Sequence, residues 1–514
     1  MLKNISIIGC GPRGVIALER VINQIINTNF KVTINVFDEN EFGPGVHSNR
    51  TTDSLKLNTP CDLLTLNPSH LGYKSFLKKE ILSFKDWLIE CDLYQLDKIY
   101  YPRYFFGDYC KYIINEIVNS VKISSITVNF FQKKVTKLIE SDCSSNQLIR
   151  TSDGCEFKSD FLILTTGHGC NKDYVLNNKF NSVLPAENVF INGMGLTAYD
   201  SINRLTLDKG GKFSYSDEKM VYTPSGKEPN IYLFSRGGLP LLSRPFDDLT
   251  FNKNNINPIL IDSDIESTLN TNLFNDFYVA KESYTFNDYL NNKVAVSNTV
   301  SYKDYIINFL ESDINESELG LKDSCFKYNN ERLLYSREHF RKLYNYKNNK
   351  QSNIFFERIS PIINKICIGP DLNSQKKLLT LIQQGVVKLC LGVNPKIENI
   401  NSIYFATNKE SNIVIRSKFI FEGRVVNEEW NSGIIYNYIK NHKSKLTTKN
   451  VAFNNNFNLY NIENNEVVSS KIFFNGVITE GSTYYNWYVP TFNDSYGAFE
   501  QLNKISELII NYGK

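Results

Sequence analysis

No stretch of the 514 residues approaches the roughly 20 apolar positions of a membrane-spanning helix. With a mean hydropathy of −0.30 the chain reads as a soluble protein. An excess of charge of one sign is also missing. Lys plus Arg number 57 against 54 Asp plus Glu, a net of +3, which leaves no electrostatic footprint for nucleic acid or an anionic membrane. The ten cysteines never fall at C-x-x-C spacing, so neither a thioredoxin-like redox pair nor a zinc knuckle is readable. Dispersed single cysteines in so long a chain read as reduced, largely buried thiols of a cytoplasmic protein. The five histidines (47, 70, 168, 339 and 442) show no metal-ligand spacing, and no metal is expected. Gly-x-Ser-x-Gly and Ser-x-x-Lys nucleophile settings are absent from any convincing context, which removes the hydrolase readings. The opening residues are too short an apolar stretch for a secretory leader and read as the start of a fold element. What is present is core material. The sequence is 42% hydrophobic with 34 Phe and 30 Tyr, which excludes disorder across the whole chain. The length suits two to four domains at about 100–200 residues each.

The sharpest local pattern lies in the first forty residues. Ile5 to Ile8 reads as a buried strand, Gly9 to Gly14 as a turn, Val15 to Asn27 as a helix, and Val32 to Phe37 as a second strand ending in Asp38 and Glu39. The glycines fall in the G-x-G-x-x-G register. Gly9 permits the tight turn, Gly11 lets backbone approach a pyrophosphate, and Gly14 lets the helix pack on the strand. The helix start offers unpaired N–H donors to phosphate. Asp38, or Glu39 beside it, is placed to accept from ribose hydroxyls.

A second such element starts near residue 188. Asn188 to Ile191 reads as a strand, Asn192 to Gly195 as its turn, Leu196 to Leu207 as a helix, and Pro229 to Phe234 as the next strand. This strand ends in Ser235 and Arg236 where the first unit has an acid, and arginine there suits the 2′-phosphate of NADP. The turn carries Thr197, Ala198 and Tyr199 and reads as lacking the third small residue of the full motif. Between the two units, Phe161 to Gly167 is an apolar strand running into Thr-Thr-Gly. Residues 241–360 read as a mostly helical insertion, with helix-period pieces at Tyr302 to Leu310 and Glu331 to Leu343. Strands return at Lys418 to Phe421 and Lys471 to Phe474, and a last amphipathic helix spans about Tyr496 to Asn511. The expected fold is α/β, with two dinucleotide-binding (Rossmann-like) domains. The first is discontinuous (1–170 and 411–514) and the second spans 171–410.

These residues resemble a family. Gly-Cys-Gly-Pro-Arg-Gly at 9–14, Phe42 to Gly45, Leu55 to Pro60, Pro102-Arg103 with Gly107 to Tyr109, and Thr166 to His168 occur in serial order. Gly193 to Thr197 with Asp200, Ser235 to Pro240, Gly369-Pro370 and Thr479 to Gly481 follow. They look like the FAD–NAD(P)-binding domain flavoproteins, which include aspartate N-hydroxylating, nitrosuccinate-forming monooxygenases. The resemblance implies that Gly9, Gly11, Pro12, Arg13, Gly14 and Asp38 hold the ADP half of FAD, with Thr166 and Gly167 closing the flavin site. Asn58 would lie near flavin and nicotinamide, and Gly193, Gly195, Ser235 and Arg236 would receive NADPH. His47 is placed near the isoalloxazine ring. Arg50 and Arg103 are candidate clamps for a substrate carboxylate, through bidentate geometry.

The implied activity is N-hydroxylation of a small amine or amino acid, aspartate first, with dioxygen and NADPH through a C4a-hydroperoxyflavin. A flavin oxidoreductase or oxidase without oxygen transfer is a second reading. A noncatalytic nucleotide-binding regulatory protein is a third, which the intact glycines of both turns disfavour. Substrate identity and oligomeric state have no signature in the residues.

Overall fold

Five parallel strands build the first sheet, in the spatial order Ile472–Phe474, Phe161–Leu164, Leu2–Ile8, Lys31–Asp38 and Ile126–Gln132. The computed structural model describes residues 2–26, 28–48, 52–78, 80–121, 125–140, 147–167, 179–246, 256–258, 301–344, 350–423, 433–442, 446, 451–492 and 497–512. The chain divides into two compact units. One comprises Met1–Asn171, Glu338–Phe356 and Asn427–Lys514; the other comprises Lys172–Arg337 and Glu357–Val426.

In the first unit the inner strand Phe161–Leu164 is apolar on both faces, as a covered parallel sheet favours: Phe161, Leu162, Ile163 and Leu164 are all buried. Helix Pro12–Ile25 starts with proline at its first position, where a missing N–H costs nothing. It buries Val15, Ile16, Leu18, Val21, Ile22 and Ile25 in the core shared with helices Arg103–Ser120 and Ala498–Tyr512. An antiparallel meander, Val135–Glu140, Gln147–Thr151 and Glu156–Ser159, precedes strand Phe161–Leu164.

The second unit has its own parallel sheet, ordered Val387–Lys388, Asn230–Phe234, Asn188–Asn192 and Phe419–Glu422. Two features differ from the sequence reading. The segment 418–421, expected to complete the first domain, instead pairs through Phe419–Glu422 with Asn188–Asn192, so the second unit runs to Val426 and not to 410. Its aromatic side chain explains the choice: Phe421 is buried and stacks on Phe180 of the same unit at 4.0 Å. Second, the helical stretch expected from Glu331 to Leu343 breaks at Ser336, between helices Cys325–Tyr335 and Arg337–Leu343. From Glu338 to Phe356 the chain then belongs to the first unit.

The helical part of the second unit is pinned by a buried ion pair. Lys327 Nζ donates to Asp313 Oδ1 at 2.5 Å and to the Ser243 carbonyl at 2.7 Å. The other carboxylate oxygen accepts from Ser243 N–H and Oγ and from Gln375 Nε2. Both side chains are fully buried, so the pair persists only because these partners replace water. Among the described residues no helix is long and apolar enough to cross a membrane.

Lys327→Met removes one charge and strands the other in the interior. Urea unfolding of the variant should show a loss of about 3–5 kcal/mol in stability. A loss below about 1 kcal/mol would show that the pair does not hold this unit together.

Candidate functional site

The first glycine turn sits where strand Leu2–Ile8 meets helix Pro12–Ile25. The Gly9 N–H donates to the Phe37 carbonyl at 2.8 Å, and its φ of +92° is one that only glycine adopts without strain. A Cβ on Gly9 would lie 2.6 Å from the Thr165 carbonyl oxygen, and one on Gly14 would lie 2.2 Å from the Gly9 oxygen. Gly11 is different. A Cβ there would meet only the Gly45 backbone, at 3.4 Å from Cα and 3.9 Å from N, both ordinary contact distances, so its missing side chain keeps space open. Helix Pro12–Ile25 has no side-chain cap, which leaves the donors of its first turn to a ligand or water. Two buried polar atoms beside the turn, Arg13 Nη2 and Thr166 Oγ1, have no protein partner. An uncapped helix start, an open glycine approach and orphaned donors are what a dinucleotide diphosphate requires, and the residues present fit that group.

Asp38 reaches back to the turn: Oδ2 accepts from the Cys10 N–H at 2.7 Å and Oδ1 from the Asn40 N–H at 2.9 Å. Burial raises its carboxyl above the ordinary aspartate range, against these two hydrogen bonds. Glu39 turns away and pairs with Lys134 at 3.1 Å. Gly167 has φ +69° with open space where a Cβ would point.

The remaining candidates of this unit are held by a relay of backbone contacts. Gly45 lies against Gly11, Gly107 fits under the His47 carbonyl, and the Arg103 N–H donates to the Leu55 carbonyl at 2.9 Å. His47 packs edge-on to Phe106, with ring centroids 5.3 Å apart. Asn58 follows Leu57, whose N–H donates to Tyr101 O at 2.9 Å. Arg103 already donates through Nε to the Lys56 carbonyl at 2.9 Å. Arg50 and His168 lie outside the described residues.

The sequence reading missed a second group against the same turn. Arg13 Nη1 donates to Asn475 Oδ1 at 3.3 Å, and its guanidinium lies over the Tyr488 ring, 4.7 Å from the centroid. Arg341, from the segment grouped with this unit, lies over the same ring at 4.4 Å. Beside it, Glu480 accepts from the Asn486 N–H at 2.5 Å, and burial pushes its carboxyl up to about 7. The one signal in the sequence was Thr479-Glu480-Gly481 followed by an aromatic run; no spacing rule joins either to Arg13 or Arg341.

In the second unit, Gly193 has φ +127° and its N–H donates to the Phe234 carbonyl at 2.8 Å. Gly195 caps helix Leu196–Thr206 without a side-chain bond. The third small residue is present after all: Ala198 stands at that register position and is buried. Gly423 is a further missed residue. Its N–H donates to Asn192 O at 2.8 Å, and a Cβ on it would lie 2.4 Å from the Gly193 oxygen and 3.0 Å from Ala198 Cβ. Ser235 Oγ accepts from the Gly238 N–H at 2.9 Å, and Arg236 is exposed at the end of strand Asn230–Phe234. No group of three or more His, Cys, Asp or Glu able to hold a metal occurs among the described residues.

Residues 6–169 match the family model described as FAD-NAD(P)-binding, so this part of the chain is an FAD/NAD(P)-binding domain. The chain is similar to the nitrosuccinic acid synthase of Aspergillus oryzae, 25% identical over 268 residues, covering 47% of this chain and 41% of that protein. It is likewise similar to the L-aspartate N-monooxygenase (nitrosuccinate-forming) of Streptomyces davaonensis, 23% identical over 289 residues, covering 47% and 44%. The matched stretch thus spans less than half of those relatives. Both agree with the family read from the sequence motifs. Among solved structures, the ornithine N-hydroxylase of Kutzneria sp. 744 aligns with a TM-score of 0.52 at 10% identity, over the whole of both chains. The ornithine hydroxylase of Pseudomonas aeruginosa aligns with a TM-score of 0.50 at 11% identity, again over both whole chains. At these identities the likeness is one of α/β fold.

Glu480 makes stability depend on pH with a definite sign. Its folded pKa lies above the unfolded value, so the folded chain binds the extra proton between the unfolded value of 4.5 and about 7. Its contribution is therefore most favourable at low pH and fades as pH rises through 7. Glu480→Gln should flatten the difference in melting temperature between pH 5 and pH 8 relative to the unaltered chain. An unchanged difference would mean that the carboxyl titrates normally.

Proposed function

We propose that the chain is an FAD- and NADPH-dependent N-hydroxylating monooxygenase whose substrate is a small amine or amino acid, aspartate first. The observation that carries this reading is the first turn: the uncapped helix start, the open approach at Gly11 and the orphaned donors of Arg13 and Thr166, inside the residues that match the family. Relatives named as aspartate N-monooxygenases support the substrate class.

A bound FAD supplies the passage of electrons from NADPH to dioxygen. The chain's own residues do the rest. Gly9, Gly11, Pro12, Arg13 and Gly14 hold the diphosphate, and Asp38 uses its remaining lone pairs on the ribose. Thr166 and Gly167 border the flavin. Asn58 and His47 serve the reacting end, and Arg50 and Arg103 orient the substrate carboxylate. In the second unit, Gly193 and Gly195 receive the NADPH diphosphate while Ser235 and Arg236 receive its 2′-phosphate. The first unit is thus the FAD domain and the second the NADPH domain. A neutral amine needs no protein base, so the main protein task at the reacting end is to exclude water, which otherwise diverts the oxygen to hydrogen peroxide.

The test is NADPH oxidation with a panel of amino acids and amines, scored by product mass. L-Aspartate should raise consumption and yield an N-oxygenated product. Peroxide as the sole product with every substrate would favour the oxidase reading and overturn N-hydroxylation. Arg236→Ala should weaken NADPH binding about tenfold or more while leaving NADH nearly unchanged. Equal losses for both would remove the role assigned to Arg236.

A further inference from the structure

Arg13 carries a positive charge into a place that is already positive. It is the second residue of helix Pro12–Ile25, whose uncapped N-terminus bears the positive end of the helix dipole. No carboxylate pairs with it among the described residues. Its one hydrogen bond, Nη1 to Asn475 Oδ1, is long at 3.3 Å, and Nη2 is buried without a partner. What fixes the guanidinium is the ring of Tyr488, with its centroid 4.7 Å from Cζ, within the range of a favourable cation–π contact.

Arg341 shares that ring at 4.4 Å, and its setting is the opposite of Arg13's. Its Nε donates to the Tyr484 carbonyl at 3.3 Å and Nη2 to the Tyr485 carbonyl at 2.9 Å, while Nη1 pairs with Glu338. Glu480 also bears on its charge. Arg341 is therefore compensated within the protein and Arg13 is not. The hydroxyl of Tyr488 has a separate task, since it accepts the N–H of Ala498 at 2.7 Å, at the start of the last helix.

We propose that Tyr488 is a positioning residue of the FAD site: its ring holds the uncompensated Arg13 guanidinium beside the first glycine turn for the FAD diphosphate, braced by Arg341. The segment Glu338–Phe356, inserted from the middle of the chain, is by this route part of the cofactor's support. The inference rests on the FAD reading above. It assigns two separable roles to one side chain. The ring face preorganises a ligand-binding cation, which spares the ordering cost on binding, and the hydroxyl serves the last helix.

The experiment is FAD titration of the apo full-length chain by flavin fluorescence, with thermal melts of the same apo samples. Tyr488→Phe removes only the hydroxyl. It should lower the melting temperature and keep FAD affinity within about twofold. Tyr488→Leu removes the ring and should weaken FAD about tenfold or more. Arg341→Lys keeps the charge but gives up the guanidinium's bonds to the Tyr484 and Tyr485 carbonyls, so it should lower the melting temperature as well as weaken FAD severalfold; its FAD affinity decides the matter if Tyr488→Leu fails to fold. FAD affinity unchanged in Tyr488→Leu, or unchanged in Arg341→Lys, would overturn the proposal. So would equal losses in Tyr488→Phe and Tyr488→Leu. A wild-type chain that binds no FAD would overturn the cofactor reading and this inference with it, whereas a wild-type chain that binds while the variants bind equally well would overturn this inference alone.

Discussion

The close approach of Gly9, Gly14 and Thr165 is the constraint on which the first unit's chemistry depends. Three backbone segments meet there: the end of strand Leu2–Ile8, the start of helix Pro12–Ile25 and the end of strand Phe161–Leu164. The Thr165 hydroxyl donates to the Gly9 carbonyl at 2.5 Å and its N–H to the Ile8 carbonyl at 2.8 Å. No side chain fits between them. This crowding is what brings an uncapped helix start to the edge of a parallel sheet, where its donors can meet an anion.

Secondary contacts extend from that point. The Gly43 N–H donates to the Cys10 carbonyl at 2.6 Å, and Gly45 lies against Gly11, so the loop carrying His47 is set by the turn itself. Gly107 then seats helix Arg103–Ser120 against that loop, and Arg103 takes hold of the segment leading to Asn58. Cys10 sits in the middle of this packing, fully buried, and burial holds its thiol in the protonated form. It acts as a small apolar filler and not as a nucleophile. The second unit repeats the principle with different parts, since Gly423 crosses Gly193 and Ala198 where Thr165 crosses Gly9 and Gly14.

Much of this was legible in the residues because the physics is local. Strand, turn, helix and acidic strand end lie within forty positions, and a glycine register with a steric reason behind it survives translation into structure. Phe419–Glu422 shows where locality fails. Three apolar and aromatic residues in a row, Phe419 to Phe421, make a strand in either sheet, and only the partner, Asn188–Asn192 together with Phe180, decides which. Arg341 and Tyr488 show the same limit at the site. They stand 147 positions apart, and nothing in periodicity or composition could bring them to one ring. The third small residue of the second turn was overlooked for a simpler reason: Ala198 meets the need for a small side chain as well as glycine does, and a search for glycine alone passes over it.

The account stands on the first turn holding FAD, and the most direct measurement is the flavin content of the purified recombinant chain beside that of Gly14→Val. The unaltered chain should carry about one FAD per polypeptide, or take it up on titration. The variant, whose side chain would collide with the Gly9 carbonyl, should carry almost none. A colourless chain that takes up no added FAD, or a Gly14→Val chain that binds it as well as the unaltered one, would contradict the account.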